Sequence, residues 1–87
     1  MIKNTIELTL IKDIVFVATR YANKNWRVCV KDKETNEEEM VDRSVTRNEL
    51  QYLIDKALDF IGKDFSLKTL KVKFKFIIKN YSNICTQ

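Results

Sequence analysis

The chain has 87 residues, of which 45% are hydrophobic and 32% are charged, and its formal net charge is +4. This length fits one domain, residues 1–87, and the composition is that of a folded globular protein. There is no histidine, and the only thiols are Cys29 and Cys85, so zinc-ligand and disulfide patterns are missing and we expect no metal and no cofactor. Short apolar runs and the lack of a signal-peptide pattern predict a cytoplasmic protein without membrane contact.

Four stretches in the first half of the chain are predicted to form β-strands. Residues 5–12 and 26–31 alternate apolar and polar side chains, as a strand with one buried face does. Residues 14–21 are mostly apolar at their centre, which is typical of a strand inside a sheet. Residues 38–41 are expected to form a short fourth strand at an edge of the sheet.

The helix that follows has start and stop signals. Thr46 and Glu49 have the spacing of a capping box, and Val45 and Leu50 have that of a hydrophobic staple. Gly62 lies where a left-handed residue is wanted after the last turn. The apolar residues between these ends share one helical stripe: Leu50, Leu53, Ile54, Ala57, Leu58 and Ile61.

Residues 70–79 read Leu-Lys-Val-Lys-Phe-Lys-Phe-Ile-Ile-Lys. This alternation predicts a last strand that buries Leu70, Val72, Phe74, Phe76 and Ile78 and exposes its lysines. Counting strand directions places it antiparallel to the first strand, in the sheet order four-three-two-one-five. The predicted fold is α+β: an antiparallel sheet of four or five strands (β-β-β-(β)-α-β) with one helix packed on one face.

An acidic cluster lies at and before the fourth strand. Residues 32–42 contain six carboxylates and one lysine, which a solvated loop would explain. Alternatively, closely spaced carboxylates mimic phosphates and bind a basic groove on a nucleic-acid-handling partner. Calcium fits poorly, because Glu37 and Arg43 replace the glycine and the last glutamate of an EF-hand loop. The candidate partner-binding residues are Asp32, Glu34, Glu37, Glu38, Glu39 and Asp42.

A second candidate site is basic. Lysines on an edge strand commonly prevent aggregation, which is the simpler interpretation of the lysine row. As a nucleic-acid-binding site, the row would contact phosphates from the open sheet face, although no signature of a recognised RNA- or DNA-binding module accompanies it. The residues of this alternative are Arg27, Lys31, Lys71, Lys73, Lys75 and Lys79.

The sequence does not predict an enzyme. Without histidine, acid–base catalysis would fall to carboxylates or lysines, and Asp55 and Asp59 have the spacing of a solvated helix face. Cys29 has no base nearby in sequence, although Lys or Arg across the sheet could lower its pKa. The single glycine excludes a glycine-rich phosphate loop.

At the level of class, the chain resembles small anti-defence proteins of phages and mobile elements, anti-CRISPR proteins among them. The resemblance lies in its size, its usage of lysine, asparagine and isoleucine, its strand meander with one helix, and its acidic loop 32–42. It implies a non-catalytic inhibitor, in a bacterial cytoplasm, that docks on a nucleoprotein effector such as a CRISPR nuclease complex. The nucleic-acid-mimicking members are strongly acidic, whereas this chain is basic. The alternatives are a module that binds RNA or DNA, or a subunit of a larger assembly.

Overall fold

The computed structural model describes residues 3–85. Its strands are β1 (Lys3–Ile11), β2 (Ile14–Tyr21), β3 (Trp26–Asp32) and β4 (Glu38–Val45). Helix α1 (Arg47–Ala57) runs into a 3₁₀ turn (Leu58–Phe60), and a loop then leads to helix α2 (Leu67–Cys85). The first four predicted strands and the one predicted helix are present.

The strands form one antiparallel sheet in the order β1-β2-β3-β4. This confirms the antiparallel α+β class and the predicted order of the first four strands. Leu8 lies opposite Phe16, and Phe16 lies opposite Val30, so apolar side chains from three strands share one face. The pairing of β3 with β4 is irregular around Val28, which indicates a β-bulge in the pair.

Both helices contribute to one core on that face of the sheet. Phe16 from β2, Val28 from β3, Leu53 from α1 and Phe74 from α2 have no exposed surface and belong to the same cluster. The Phe16 and Phe74 rings are 5.2 Å apart, which packs α2 against the middle of the sheet. Side chains that alternate with the core residues, such as Arg27 on β3, point to the opposite face.

The start of α1 is as predicted. The Thr46 hydroxyl accepts a hydrogen bond from the Glu49 backbone N–H at 3.3 Å, and a Glu49 carboxylate oxygen accepts one from the Thr46 backbone N–H at 2.9 Å. This reciprocal pair is the predicted capping box. Leu50, Leu53 and Ala57 are buried.

The end of α1 differs from the predicted stripe. Leu58 and Ile61 are 53% and 48% exposed, so their predicted burial is wrong. The α-helix ends at Ala57 and tightens into a 3₁₀ turn, which has fewer residues per turn and shifts the phase of the residues that follow. Phe60 packs against the core instead. Gly62 has the expected positive φ, 82°, and its N–H donates to the Leu10 carbonyl oxygen on β1 at 2.7 Å.

The predicted fifth strand is wrong, because residues 70–79 lie within α2. In the helix, Leu70 and Phe74 are buried, with Leu67, Ile77 and Ile78 packed beside them, and these positions form a stripe of helical spacing. Ser66 caps the helix: its hydroxyl accepts from the Thr69 backbone N–H at 3.2 Å. Within residues 3–85 the sheet therefore has four strands, two helices pack on it, and no fifth strand pairs with β1 at the predicted place.

Candidate functional site

A cleft runs between the edge strand β4 and helix α2. Its volume is about 690 Å³, and four cationic side chains line it together with one carboxylate. The cations are Arg43 from β4 and Lys71, Lys75 and Lys79 from α2, and the carboxylate is Asp42. We call this group the basic cleft.

The three lysines of the basic cleft form a row because of helix geometry. Residues four apart on an α-helix share a face and rise about 6 Å along the axis. Lys71, Lys75 and Lys79 follow this spacing on the side of α2 that faces β4, and Arg43 stands across the cleft from them. The fold thus converts a scattered lysine pattern into a line of positive charge.

Two carboxylates modify the charge of the basic cleft. The Lys71 Nζ forms an ion pair with Glu39 Oε1 at 3.1 Å, and both side chains are about two-thirds buried. Asp42 accepts a hydrogen bond from the Ser44 backbone N–H at 3.0 Å, which holds it to its own strand. Among the residues that the structure describes, Lys75, Lys79 and Arg43 have no ion-pair partner. The part of the cleft lined by Lys75, Lys79 and Arg43 therefore carries a net positive charge.

The other basic residues of the predicted site lie elsewhere. Lys73 turns to the far side of α2, where its Nζ sits 4.8 Å from the centre of the Phe65 ring. Arg27 and Lys31 lie on the sheet face opposite the helices, as their alternation with Trp26, Val28 and Val30 requires. The structure therefore brings together Lys71, Lys75 and Lys79 and separates them from Arg27, Lys31 and Lys73. The predicted location of Lys71, Lys73, Lys75 and Lys79 on an open sheet face is wrong, since they project from a helix, whereas Arg27 and Lys31 lie on that face as predicted.

Sequence reasoning missed Arg43 as a member of the basic site. Arg43 is 28 positions or more from each of the cleft lysines, and only the packing of α2 on β4 brings them to one cavity. No local pattern of the chain carries this information. A longer fourth strand than predicted is the one local feature that places Arg43 at the sheet edge.

The acidic residues predicted to bind a partner divide into two groups. Three are part-buried and have contacts within the fold: Asp32 accepts from the Glu34 and Thr35 backbone N–H groups at 2.9 and 3.4 Å, and Glu39 and Asp42 have the contacts described above. The other three, Glu34, Glu37 and Glu38, are exposed on the β3–β4 hairpin, and of these Glu38 also accepts from the Cys29 thiol. We call these three the acidic tip.

A second cavity, of about 430 Å³, adjoins the β3–β4 hairpin. Asp32, Glu37, Glu39 and Asp64 line it together with Lys68, near the start of α2. Within residues 3–85, no group of three or more acidic or cysteine side chains has an arrangement that could hold a metal ion. The surface along α2 thus changes from acidic at this end to basic at the cleft, with the Glu39–Lys71 pair at the boundary.

Cys29 is half-buried on the sheet face away from the helices. Burial raises the pKa of its thiol, and the nearby Glu38 carboxylate raises this pKa further. Lys31 and Arg27 act in the opposite direction but do not outweigh these effects. The Cys29 Sγ–H donates to Glu38 Oε2 at 3.9 Å. The thiol is therefore protonated at neutral pH, which is the opposite of what a nucleophilic cysteine requires.

The fold and its charged surfaces define the class: a small α+β protein whose surface along one helix is acidic at one end and basic at the other. No protein-family model, no curated protein and no solved structure matches this chain. None of the helices within residues 3–85 has the length and apolar character needed to cross a membrane.

Proposed function

We propose that this protein is a non-catalytic binding protein that docks on a nucleic-acid-handling effector complex. The basic cleft contacts the nucleic-acid backbone, and the acidic tip contacts a basic surface of the protein component. The observation that carries the proposal is the row of Lys71, Lys75 and Lys79 facing Arg43 across one cleft.

A linear row of cations fits a linear polyanion. Phosphates recur at regular intervals along a nucleic-acid strand, and lysines on successive helix turns recur at about 6 Å. Lysine also suits phosphate contact without sequence readout, because its ammonium is a mobile point charge. None of the described residues that line the cleft is aromatic, so a base has no ring to stack on and backbone contact is the mode that these side chains support.

The acidic tip supplies a second contact of opposite sign. Glu34, Glu37 and Glu38 project from a hairpin, and the Asp32 side chain fixes the conformation of that hairpin by accepting two backbone N–H groups. Carboxylates held in this way match a basic protein groove and repel free nucleic acid. The resemblance to anti-defence proteins makes a CRISPR nuclease complex the first effector to test.

Nucleic-acid binding is tested by fluorescence anisotropy with labelled single- and double-stranded oligonucleotides over a range of salt concentrations. The test variant is Lys75→Gln with Lys79→Gln, and Lys71 is left intact because it pairs with Glu39. We expect weaker binding and a salt-dependence slope that is smaller by about 1.4 for single strands and about 1.8 for B-form DNA, since two phosphate contacts are lost.

The matched control is Arg27→Gln with Lys31→Gln, which removes the same charge from the opposite sheet face. We expect this control to bind like the unmodified protein after correction for net charge. Equal losses in the two variants would show nonspecific electrostatics and would rule out the cleft. Absence of any anisotropy change at low salt would rule out nucleic-acid binding.

Docking through the acidic tip is tested by inhibition or pull-down with a purified effector complex. Glu34→Lys with Glu37→Lys changes two exposed side chains for which the structure shows no side-chain contact in the described residues. The control, Asp55→Lys with Asp59→Lys, reverses two exposed carboxylates in α1 and the 3₁₀ turn, outside the hairpin. We expect only the first variant to lose binding. If both bind normally, the acidic tip is not an interface, and light scattering of the free protein then tests self-assembly.

A further inference from the structure

A separate cationic cavity lies under helix α1, where the helix meets strands β1, β2 and β3. Its volume is about 360 Å³. Among the described residues, the seven side chains that line it include two guanidinium groups and no carboxylate: Ile6, Arg20, Trp26, Arg47, Leu50, Gln51 and Ile54. None of these residues belongs to the basic cleft. We call it the Arg-Trp cavity.

Two hydrogen-bond donors of the Arg-Trp cavity have no acceptor within residues 3–85. They are the Arg20 Nε–H and the Trp26 Nε1–H, and both nitrogens are buried. The Trp26 residue is only 8% exposed. Buried donors in folded proteins are almost always paired, and an unpaired one costs free energy. Arg20 and Trp26, the two described residues that carry such unpaired buried atoms, both line this one cavity.

The fold holds these donors in place. The Arg20 guanidinium carbon lies 5.2 Å from the centre of the Trp26 ring, a cation–π contact that orients the guanidinium. Arg47 is the first residue of α1, so its charge stands at the N-terminal end of the helix, beside the capping box of Thr46 and Glu49. The Gln51 side-chain amide donates a hydrogen bond to the Asp55 carboxylate at 3.2 Å, and Asp55 is not among the residues that line the cavity.

We propose that the Arg-Trp cavity is a binding site for a phosphate or carboxylate oxyanion. An oxyanion has several lone pairs on adjacent oxygens and satisfies the Arg20 and Trp26 donors together. Arg20 and Arg47 balance its charge, and no carboxylate of the cavity opposes it. The apolar walls formed by Ile6, Leu50 and Ile54 strengthen these interactions because they exclude water.

The single tryptophan of the chain gives a direct probe. In a ¹H–¹⁵N correlation spectrum the Trp26 indole N–H gives one peak, and this peak reports on the donor that the proposal uses. The full chain is titrated with inorganic phosphate and, in a second arm, with acetate, each compared with sodium chloride at equal ionic strength. We expect a saturable shift of the indole peak with phosphate or acetate and none with chloride.

Three variants distinguish a specific oxyanion site in the cavity from nonspecific attraction of anions to a basic protein. Arg47→Gln changes an exposed residue, so folding should be retained, and we expect oxyanion affinity to fall roughly tenfold or more. Arg20→Lys keeps the charge and removes the buried Nε–H donor, and we expect a similar loss. Arg27→Gln is the control on the opposite sheet face and should bind as the unmodified protein does.

The two arms also identify the kind of oxyanion. A saturable shift with phosphate alone assigns a phosphate ligand, and one with acetate alone assigns a carboxylate ligand. An indole peak that does not move, or that moves equally with chloride, overturns the proposal. Equal weakening by Arg47→Gln and Arg27→Gln would do the same. Neither result bears on the basic cleft, which shares no residue with this cavity.

Discussion

The inner and outer sides of helix α2 carry similar apolar residues, which are buried on the inner side and exposed on the outer side. Phe74 has no exposed surface, whereas Phe76, two positions later, is 62% exposed. Leu70 and Val72 differ in the same way, at 1% and 65%. Two positions on an α-helix are about 200° apart, so each pair straddles the cylinder. The comparison teaches that the phase of the helix decides which apolar residue is buried, and that residue type alone does not.

The contacts of Phe74 show what the inner side contributes. Its ring lies 5.2 Å from the Phe16 ring on β2 and 5.2 Å from the Phe60 ring in the 3₁₀ turn. It therefore joins the sheet, the end of α1 and α2 in one aromatic cluster. Phe76 lines a surface depression with Val72 and does not belong to the core cluster.

The largest predicted effect is a direct test of this comparison. Phe74→Ala should lower the free energy of unfolding by about 3–5 kcal/mol, because it leaves a cavity among buried rings. Phe76→Ala should change the free energy by less than about 0.5 kcal/mol, because its side chain is already in solvent. Urea unfolding followed by circular dichroism measures both.

If Phe74→Ala does not fold, Phe74→Leu gives the same comparison with a smaller cavity. A larger loss for Phe76→Ala than for Phe74→Ala would mean that α2 is rotated about its axis or that residues 70–79 form a strand. In either case Lys71, Lys75 and Lys79 would no longer form a row that lines the basic cleft.

The two helices differ in how much of them was predictable from the chain. The capping box of Thr46 and Glu49 is a local signal that requires no tertiary contact, and α1 begins where this signal places it. For residues 70–79 the local pattern fits two structures, since Leu70 and Phe74 have helical spacing and also lie on one face of a strand. Extending the pattern back to Leu67 and Ser66 favours a helix, with a stripe and a cap that the ten-residue window leaves out.

The candidate sites were predictable to different degrees for a similar reason. The acidic tip lies within five consecutive residues, 34–38, so its existence required only a hairpin between two strands. The basic cleft joins Arg43 to lysines of α2, and the Arg-Trp cavity joins β2, β3 and α1. Such sites depend on how elements pack, which charge patterns along the chain do not encode.

The next largest effect concerns Ser66, the residue that caps the start of α2. Ser66→Ala should lower the free energy of unfolding by about 1 kcal/mol, because the Thr69 N–H loses its acceptor. The matched variant is Thr46→Ala at the start of α1, with a similar expected loss. Denaturant titration measures both. A neutral Ser66→Ala would indicate that packing of Leu70 and Phe74 alone positions the helix.

The smallest effect separates Lys71 from Lys75, one helix turn apart on the same side of α2. Lys71 pairs with Glu39 at 3.1 Å, whereas Lys75 has no ion-pair partner among the described residues. A double-mutant cycle of Lys71→Gln and Glu39→Gln should give a coupling of between about 0.2 and 1 kcal/mol, because about a third of each side chain remains in solvent and screens the pair. The same cycle with Lys75→Gln in place of Lys71→Gln should give no coupling. A coupling for Lys75 as large as that for Lys71 would mean that Glu39 neutralises the cleft as a whole, and the cleft would then lose the unbalanced charge on which nucleic-acid binding depends.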